Sequence, residues 1–368
     1  MYLIHLLLLI PHFAVRYLGV SMKKRILAFS CLSLLVLNLV GSASVDRKRI
    51  ANRSDQLTAM LPTADGVVSI DVKRFFSTAL PKILSANEPM LKKVTDELDR
   101  MKERTGIDIR QFDQLAAGVN AAQKGEKDYD VRPVVIARGE LSSASLIGAA
   151  KIAANGKYRE EIVADKTIYV FEARQIAADV KDKTPKVKDS NYAAMVVDKL
   201  SGEMALTAID ANTVAFGNLA LVKRAVDGSA RMPAELLRML GKKETAVVKF
   251  AGKLPSGMGA FLPLDNDELG KNIESIRYLY GNVDMAGEAM AVNMTAQTQQ
   301  KGQAAALRET LEGLQLLGKM FLGSAKGADK QVYNRMIDNV KFTSNGNEVS
   351  MALQVPQRDI DILIGMLK

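Results

Sequence analysis

The sequence predicts an α+β fold in which two diverged repeats each form an antiparallel sheet with helices packed on one face. Short apolar and β-branched runs are separated by turn signals such as Asn345-Gly346-Asn347, a pattern typical of antiparallel hairpins. Stretches with apolar residues at helical spacing lie between these runs. A strand and a helix, followed later by a hairpin and a helix, occur in both halves, which indicates a duplication.

Turn and capping signals order the elements of the first half. A helix with Leu91 in its apolar stripe ends at Gly106, which suits a left-handed cap. Its start is either a capping box at 85–88 or a cap at Asn87 alone. We also predict strands at 66–72, 116–122 and 134–141, a helix at 144–154, hairpins at 161–172 and 204–216, and a helix at 219–226.

The second half repeats this order. Its strongest helix, at 304–322, is amphipathic and has an apolar stripe formed by Leu307, Leu311, Leu314, Leu317 and Phe321. The other predicted elements are a strand at 246–250, a helix at 267–278, strand residues within 285–295, a hairpin at 340–355 and a helix at 358–367.

The beginning of the chain has the features of an export signal. Met22 is followed by three basic residues, an apolar run at 26–40 and small residues, which together predict a Sec signal peptide cleaved after Ala43 or after Ser44. The apolar run has about 15 residues, whereas a membrane span needs about 20. We expect a periplasmic or secreted protein, or a membrane-anchored one if residues 1–44 are retained.

These signals divide the chain into six segments. The first segment is either an over-long gene start or a membrane anchor. We favour the over-long gene start because a basic cluster directly follows Met22. The segments are an over-long gene start at 1–21, the signal peptide at 22–44, a flexible start at 45–58, a first repeat at 59–228, a linker at 229–243 and a second repeat at 244–368.

The residue types left after cleavage exclude several kinds of chemistry. His5, His12 and Cys31 are the only imidazoles and the only thiol, all three precede the cleavage site, and the chain has no Trp. The processed chain therefore lacks the usual zinc, haem and iron–sulfur ligands, the residues of Ser-His-Asp and Cys-His catalysis, and disulfides. We predict no catalytic, metal-binding or cofactor-binding residues and no cofactor.

The charge balance is mild after processing. The chain has 50 basic and 41 acidic residues, and residues 1–44 hold four basic residues and no acid, so 46 basic residues face 41 acidic ones. Aromatic residues make up 5% of the chain. Nucleic-acid binding requires a basic stripe with interleaved aromatics, so we expect no nucleic-acid partner. No apolar run of the processed chain approaches 18 residues, so we expect no membrane span there.

Three loops resemble known site motifs incompletely. The stretch 265–270 begins like a calcium loop, but Leu269 and Ile276 replace oxygen ligands, which favours a plain helix start with acids. The stretch 256–259 lacks the remaining glycines and the lysine of phosphate loops, which favours a turn. Ser324 and Lys326 are a Ser-Lys pair in a polar, glycine-flanked stretch, which favours an exposed loop over a catalytic dyad.

Two side-chain clusters have alternative interpretations. One helix face carries three acids, Asp96, Asp99 and Glu103. They form either a paired-acid site or a solvated surface that Lys92 and Arg100 neutralise. We favour the solvated surface. The second cluster consists of methionines, which either line a flexible apolar groove or fill the core. We favour the core. These residues are Met232, Met239, Met285, Met290 and Met294.

Three short motifs carry a resemblance to a family. They are the strand opening at 61–72, the helix exit at 105–115 and the hairpin at 210–218. With these motifs the chain resembles a group of uncharacterised exported bacterial proteins, most closely over residues 59–228. The resemblance implies a grouping and no activity.

We therefore expect a non-enzymatic exported protein that acts by binding or as an envelope component, with an unknown protein or an apolar ligand as its partner. One alternative is a carrier of an apolar ligand or lipid. Another is a hydrolase or lyase that uses carboxylate, Lys or Tyr groups. A carrier requires a large apolar cavity, an enzyme requires a pocket with buried ionisable groups, and an interaction protein requires an exposed apolar patch.

Overall fold

The computed structural model describes residues 56–125, 128–172, 203–242, 246–254, 267–323 and 327–365. It confirms a fold of mixed helices and antiparallel strands. Contacts divide the chain into two units, which are described separately. We call Asp46–Lys73 with Lys92–Gly241 the N-terminal unit, and Arg74–Leu91 with Lys242–Lys368 the C-terminal unit.

The N-terminal unit contains seven antiparallel strands in the order β1-β2-β3-β7-β6-β5-β4. Their bounds are β1 Gly66–Asp71, β2 Phe112–Gly125, β3 Asp128–Gly139, β4 Arg159–Val163, β5 Lys166–Glu172, β6 Glu203–Asp210 and β7 Thr213–Asn218. The predicted turn between β4 and β5 is confirmed, since Ala164 and Asp165 both have positive φ, at 46° and 61°. This geometry matches the right-handed twist of a hairpin.

The predicted helix ends are also confirmed. The helices are α1 Glu88–Thr105, which crosses from one unit to the other, α2 Ser143–Ala153, α3 Leu219–Asp227 and α4 Ala234–Gly241. Asn87 caps α1 by accepting a hydrogen bond from the Met90 amide at 3.1 Å, and Gly106 follows the helix with φ of +71°. Of the two predicted starts, the Asn87 cap is the one with a cap hydrogen bond.

Helices contact both faces of the β4–β5 hairpin in this unit. Successive residues of a strand point to opposite faces of the sheet. Glu160 pairs with Lys151 of α2 at 3.2 Å, and its neighbour Glu161 pairs with Lys223 of α3. The helices α2 and α3 therefore lie on opposite faces, whereas the sequence analysis placed all helices on one face.

The C-terminal unit contains five antiparallel strands in the order β11-β12-β10-β9-β8. The strands are β8 Val248–Lys253, β9 Ile276–Ala286, β10 Ala289–Thr298, β11 Lys341–Asn345 and β12 Glu348–Pro356. The helices are α5 Asp267–Glu274, α6 Lys301–Gly323, α7 Ala328–Asn339 and α8 Gln357–Gly365, with short helical turns at Phe75–Ala79 and Leu80–Ile83.

Burial along β12 alternates with the period of a half-covered strand. Val349, Met351, Leu353 and Val355 are buried, and the intervening Gln354 is exposed. The helices α6, α7 and α8 pack against this strand. Because alternate residues share a face, the buried residues of β12 face these helices and the intervening ones point the other way.

Several elements differ from those predicted. The helix predicted at 267–278 ends at Glu274, and residues 276–278 begin β9, where Ile276, Tyr278 and Tyr280 recur with the two-residue period of a strand. The predicted linker at 229–243 contains α4, which buries Leu236 on its apolar face. Residues 45–55 of the predicted flexible start lie outside the described residues, and Leu57 is buried.

A buried ion pair joins α7 to α8. The Arg335 guanidinium donates to both carboxylate oxygens of Asp359, with its shortest hydrogen bond at 2.7 Å. The Asp359 side chain is only 1% exposed, whereas that of Arg335 is 36% exposed. A second arginine, Arg358, lies 3.8 Å from the same carboxylate and is 74% exposed. The buried carboxylate therefore depends mainly on Arg335 for its compensating charge.

We expect R335A to lower the free energy of unfolding by about 2–4 kcal/mol, because it leaves the buried Asp359 carboxylate without its main partner. The matched control R358A removes an exposed arginine near the same group and should cost no more than about 1 kcal/mol. Urea unfolding at neutral pH measures both. Equal losses for the two variants would contradict this assignment.

Candidate functional site

Helix α6 exposes a cluster of large apolar side chains. Seven large apolar residues are exposed within the described part of the chain, and four of them lie between positions 314 and 320. These are Leu314 at 39% exposure, Leu316 at 61%, Leu317 at 49% and Met320 at 68%. We call these four residues the α6 patch. Single exposed apolar residues are ordinary on protein surfaces, but a contiguous group marks an interaction surface.

The patch faces outward because the inner side of α6 changes character along the helix. In its first half, Ala304 and Leu307 are buried against Val349 of β12. In its second half, the described inward positions include a polar residue and a glycine, Gln315 and Gly318. Gln315 donates from Nε2 to the Ile337 carbonyl at 2.6 Å and to the Val340 carbonyl at 3.0 Å.

The next inward position of α6 after Gln315 is a glycine. Gly318 is buried, and a Cβ at this position would lie 3.2 Å from the Ile337 side chain. Lys319 pairs with Asp338 of α7 at 3.0 Å. A glycine and polar contacts therefore hold this half of α6 close to α7, and Leu314, Leu316 and Leu317 are exposed.

The apolar stripe predicted for α6 is therefore wrong in its second half. Leu307 is buried as expected, but Leu314 and Leu317 are exposed. The side chain of Phe321 lies outside the described side chains. Leu316 was not part of the predicted stripe. A signal for the patch was present, because Leu314, Leu316 and Leu317 together span a wider arc than one buried helix face accommodates.

A cleft of about 550 Å³ lies at the start of α2. The Ser142 hydroxyl caps this helix by accepting from the Ser145 amide at 3.1 Å, and the buried Ser143 hydroxyl donates to the Asp210 carbonyl at 2.6 Å. The lining residues are a mixture of polar and small groups with two large side chains. They are Ser142, Ser143, Ala144, Ile147, Asp165, Lys166, Thr167, Tyr169, Ala208, Asp210 and Ala211.

Among the acidic residues that line this cleft, Asp210 has hydrogen bonds that affect its pKa. Burial alone would raise its pKa, but the Asn212 amide and the Thr213 hydroxyl stabilise the carboxylate and lower the pKa overall. The side chain is 51% exposed. An ionised carboxylate in contact with water lacks the raised pKa that a general acid needs near neutral pH.

The C-terminal unit contains a cluster of a lysine, a tyrosine and a carboxylate, formed by Lys242, Tyr280 and Glu348. The Lys242 ammonium donates to the Tyr280 hydroxyl and lies 3.0 Å from Glu348 Oε1, while Tyr280 is 4% exposed. Burial raises the pKa of Tyr280. Burial would lower the pKa of Lys242, but its hydrogen bonds to Tyr280 and Glu348 outweigh this and raise it. Both groups stay protonated at neutral pH, which does not suit a base or nucleophile.

The three acids on α1 are not brought together as a pair. Asp96 binds Lys92 at 2.9 Å, and Asp99 binds Arg110 at 2.7 Å. Arg110 also binds Asp108, whose carboxylate it holds with three hydrogen bonds. The predicted pairing of Asp96 with Lys92 is confirmed, whereas Arg100 pairs with Glu97 and the partner of Asp99 is Arg110, which the sequence did not indicate.

The other candidate sites divide into two groups. Met232, Met239, Met285 and Met290 are buried, as expected for core residues. The cleavage residues Ala43 and Ser44, the turn at 256–259, Asp265 and the Ser324–Lys326 pair lie outside the described residues.

Among the residues that the structure does describe, no cluster of three or more acids, histidines or cysteines is arranged to hold a metal ion. None of the described helices is long and apolar enough to cross a membrane.

The fold and surface define a mixed helix and sheet protein with antiparallel strands and an exposed apolar helix face. No family model and no curated protein matches the sequence. Crystal form III of TP0453 is similar with a TM-score of 0.40 and 9% identity, over 84% of this chain and 97% of that chain. Crystal form IV has 0.41 and 9%, over 86% and 98%.

We expect D108N to lower stability at pH 7 by about 1–3 kcal/mol, because Arg110 donates charge-assisted hydrogen bonds to this carboxylate. These bonds lower the pKa of Asp108 below its ordinary value of 3.8. The stabilisation is therefore complete above about pH 4 and is lost as the pH falls through the lowered pKa. Urea unfolding of wild type and D108N at pH 7, 5 and 2 measures the difference, which should shrink at the lowest pH.

The control for this pH dependence is D96N. Asp96 pairs with one lysine on the exposed surface of α1 and is 43% exposed. Its substitution should cost no more than about 1 kcal/mol at pH 7. A D108N difference that stays constant from pH 7 to pH 2 would contradict the linkage to Asp108.

Proposed function

We propose that this chain is a non-enzymatic exported binding protein, associated with the cell envelope, whose contact with a protein partner is formed by the α6 patch. The single observation that carries this proposal is the group of four exposed apolar side chains on the outer side of α6. The export signal at 22–44, predicted from the sequence, supports the location.

The energetics of the α6 patch favour a protein contact. Fully burying a leucine or methionine side chain contributes roughly 1.5–3 kcal/mol, so these half-exposed side chains each leave about 1 kcal/mol available to a complex. Because the polar contacts of Gln315 and Lys319 hold the inner side of the helix, the leucines can be covered without unfolding it. A pre-ordered apolar surface loses little conformational entropy on binding.

The alternatives have weaker support. A lipid carrier requires a cavity that covers most of an apolar ligand, whereas the cleft at α2 is open and has Asp165, Lys166 and Asp210 among its lining residues. An enzyme that uses carboxylate, Lys or Tyr groups requires one of them poised near neutral pH. Lys242 and Tyr280 have raised pKa values instead.

We also infer that the two halves arose by duplication. The N-terminal unit contains the strand order β1-β2-β3-β7-β6, followed outward by the β5–β4 hairpin. The C-terminal unit contains β8-β9-β10-β12-β11. In each, three strands are consecutive and the last strand of the unit pairs with the third. This shared order supports a common ancestor for the halves, with one extra hairpin in the first.

The change L316K should remove the partner, because it places a charge at the centre of the α6 patch, where a contact would have to desolvate it. Native mass spectrometry of the protein purified from its own host measures this. Wild type should carry an additional polypeptide mass, and L316K should not.

The matched control is I152K. Ile152 is 79% exposed on α2, so the substitution makes the same change of an exposed helical aliphatic residue to lysine outside the α6 patch. It should retain the partner. A wild-type protein that carries no polypeptide, or that retains its partner in L316K, would overturn the proposed function. A co-purifying lipid in place of a polypeptide would favour the carrier.

A further inference from the structure

We propose that Met320 is an oxidation site and that its sulfoxide prevents the α6 patch from binding its partner. The oxidant is hydrogen peroxide, which converts the apolar thioether of methionine into a polar sulfoxide. The regulatory part of this inference rests on the proposed function, whereas the oxidation of Met320 can be tested without it.

Met320 differs from the buried methionines in its exposure. It is 68% exposed and is the one methionine among the exposed large apolar residues of the described part of the chain. By contrast, Met290 is 2% exposed and Met351 is 8% exposed. Peroxide reaches a buried sulfur only when the surrounding structure opens, so Met320 should be oxidised first among these residues.

Methionine supplies the sulfur of the processed chain that the sequence predicts. Cys31 is the single cysteine, and it lies within the predicted signal peptide at 22–44. Thiolates are the groups that otherwise react with peroxide most readily. Once the signal peptide has been removed, thioethers are therefore the sulfur targets for a peroxide that meets the exported protein.

The reaction transfers one oxygen atom from the peroxide to the sulfur. A lone pair of the Met320 sulfur attacks a peroxide oxygen, so that an S–O bond forms while the O–O bond breaks. The transferred oxygen passes its proton to the departing hydroxide, which leaves as water. Sulfur is oxidised to the sulfoxide and the peroxide is reduced to water.

The position of Met320 on α6 connects its oxidation to binding. Leu316 and Leu317 lie four and three residues before it, so they are its neighbours on the helix surface. A partner that covers these two leucines also covers the Met320 sulfur. Burying a sulfoxide oxygen without a hydrogen-bond donor costs free energy, so the modified patch binds more weakly.

The first test maps the oxidation sites of the purified full chain. The chain, separated from any co-purifying polypeptide, is treated with graded hydrogen peroxide, and peptide mass spectrometry follows each methionine over time. We expect Met320 to be oxidised at least about tenfold faster than Met290 and Met351, because its reaction needs no opening of the structure. Equal rates at these three residues would overturn Met320 as the oxidation site.

The second test measures what the sulfoxide does to the α6 patch. Its probe is the polypeptide that co-purifies with wild type, which is mixed again with treated or untreated chain and detected by native mass spectrometry. Peroxide treatment of wild type should weaken binding by at least about tenfold. Methionine sulfoxide reductases for both sulfoxide epimers should restore it. In M320L the sulfur is absent, so peroxide should not change the binding of that variant.

A third measurement imitates the polarity of the sulfoxide without an oxidant. M320Q places an uncharged polar side chain in the α6 patch, so it should lose the polypeptide. The matched control I152Q makes a similar change at Ile152, which is 79% exposed on α2, and should retain it. Circular dichroism and urea unfolding check that both variants are folded.

The outcomes separate this inference from the proposed function. Retention of the polypeptide by oxidised wild type and by M320Q overturns the regulation and leaves the proposed function intact. Equal sensitivity of wild type and M320L to peroxide also overturns it, because the effect then belongs to another residue. A wild-type chain that carries no polypeptide overturns the proposed function and the regulation together, and the peptide map alone then decides the oxidation site.

Discussion

The hydrogen bonds of Gln315 determine how the candidate site is presented. Its amide donates to the carbonyls of Ile337 and Val340, where α7 ends and the chain leads into β11. The Ile337 carbonyl also accepts from the Val340 amide at 3.3 Å, and Gln315 adds a side-chain donor at this helix end. Once Gln315 is turned inward, the helical period directs Leu316 and Met320 outward. The exposed apolar surface thus lies opposite a polar contact between α6 and α7.

Local turn chemistry made much of the fold predictable from the sequence. Gly106, Gly228 and Gly346 have positive φ at the positions where helix or hairpin ends were expected. These residues act through short-range sterics, so their effect can be recognised in a few letters of sequence. The β9 strand was missed because Ile276, Tyr278 and Tyr280 follow a helix directly and belong to both periodicities at the boundary.

The candidate site was harder to predict than the fold. Leu314 and Leu317 were correctly placed on a helix, but their side was not, because it depends on residues of α7 that are distant in sequence. Gly318 adds to this dependence, since its lack of a side chain is useful only where Ile337 lies beside it. Tertiary contacts of this kind override helical periodicity, which is a local property.

The segment Arg74–Leu91 has a consequence for biosynthesis. It belongs to the C-terminal unit, and two of its hydrogen-bond partners lie on α8. Gln357 donates to the Lys82 carbonyl at 2.8 Å, and the Asn87 side chain donates to the Ile364 carbonyl at 3.1 Å. A ribosome makes this segment early and its partners nearly three hundred residues later. The segment therefore reaches its final packing only after α8 has been made, and a fragment beginning at residue 242 would lack a piece of its own unit.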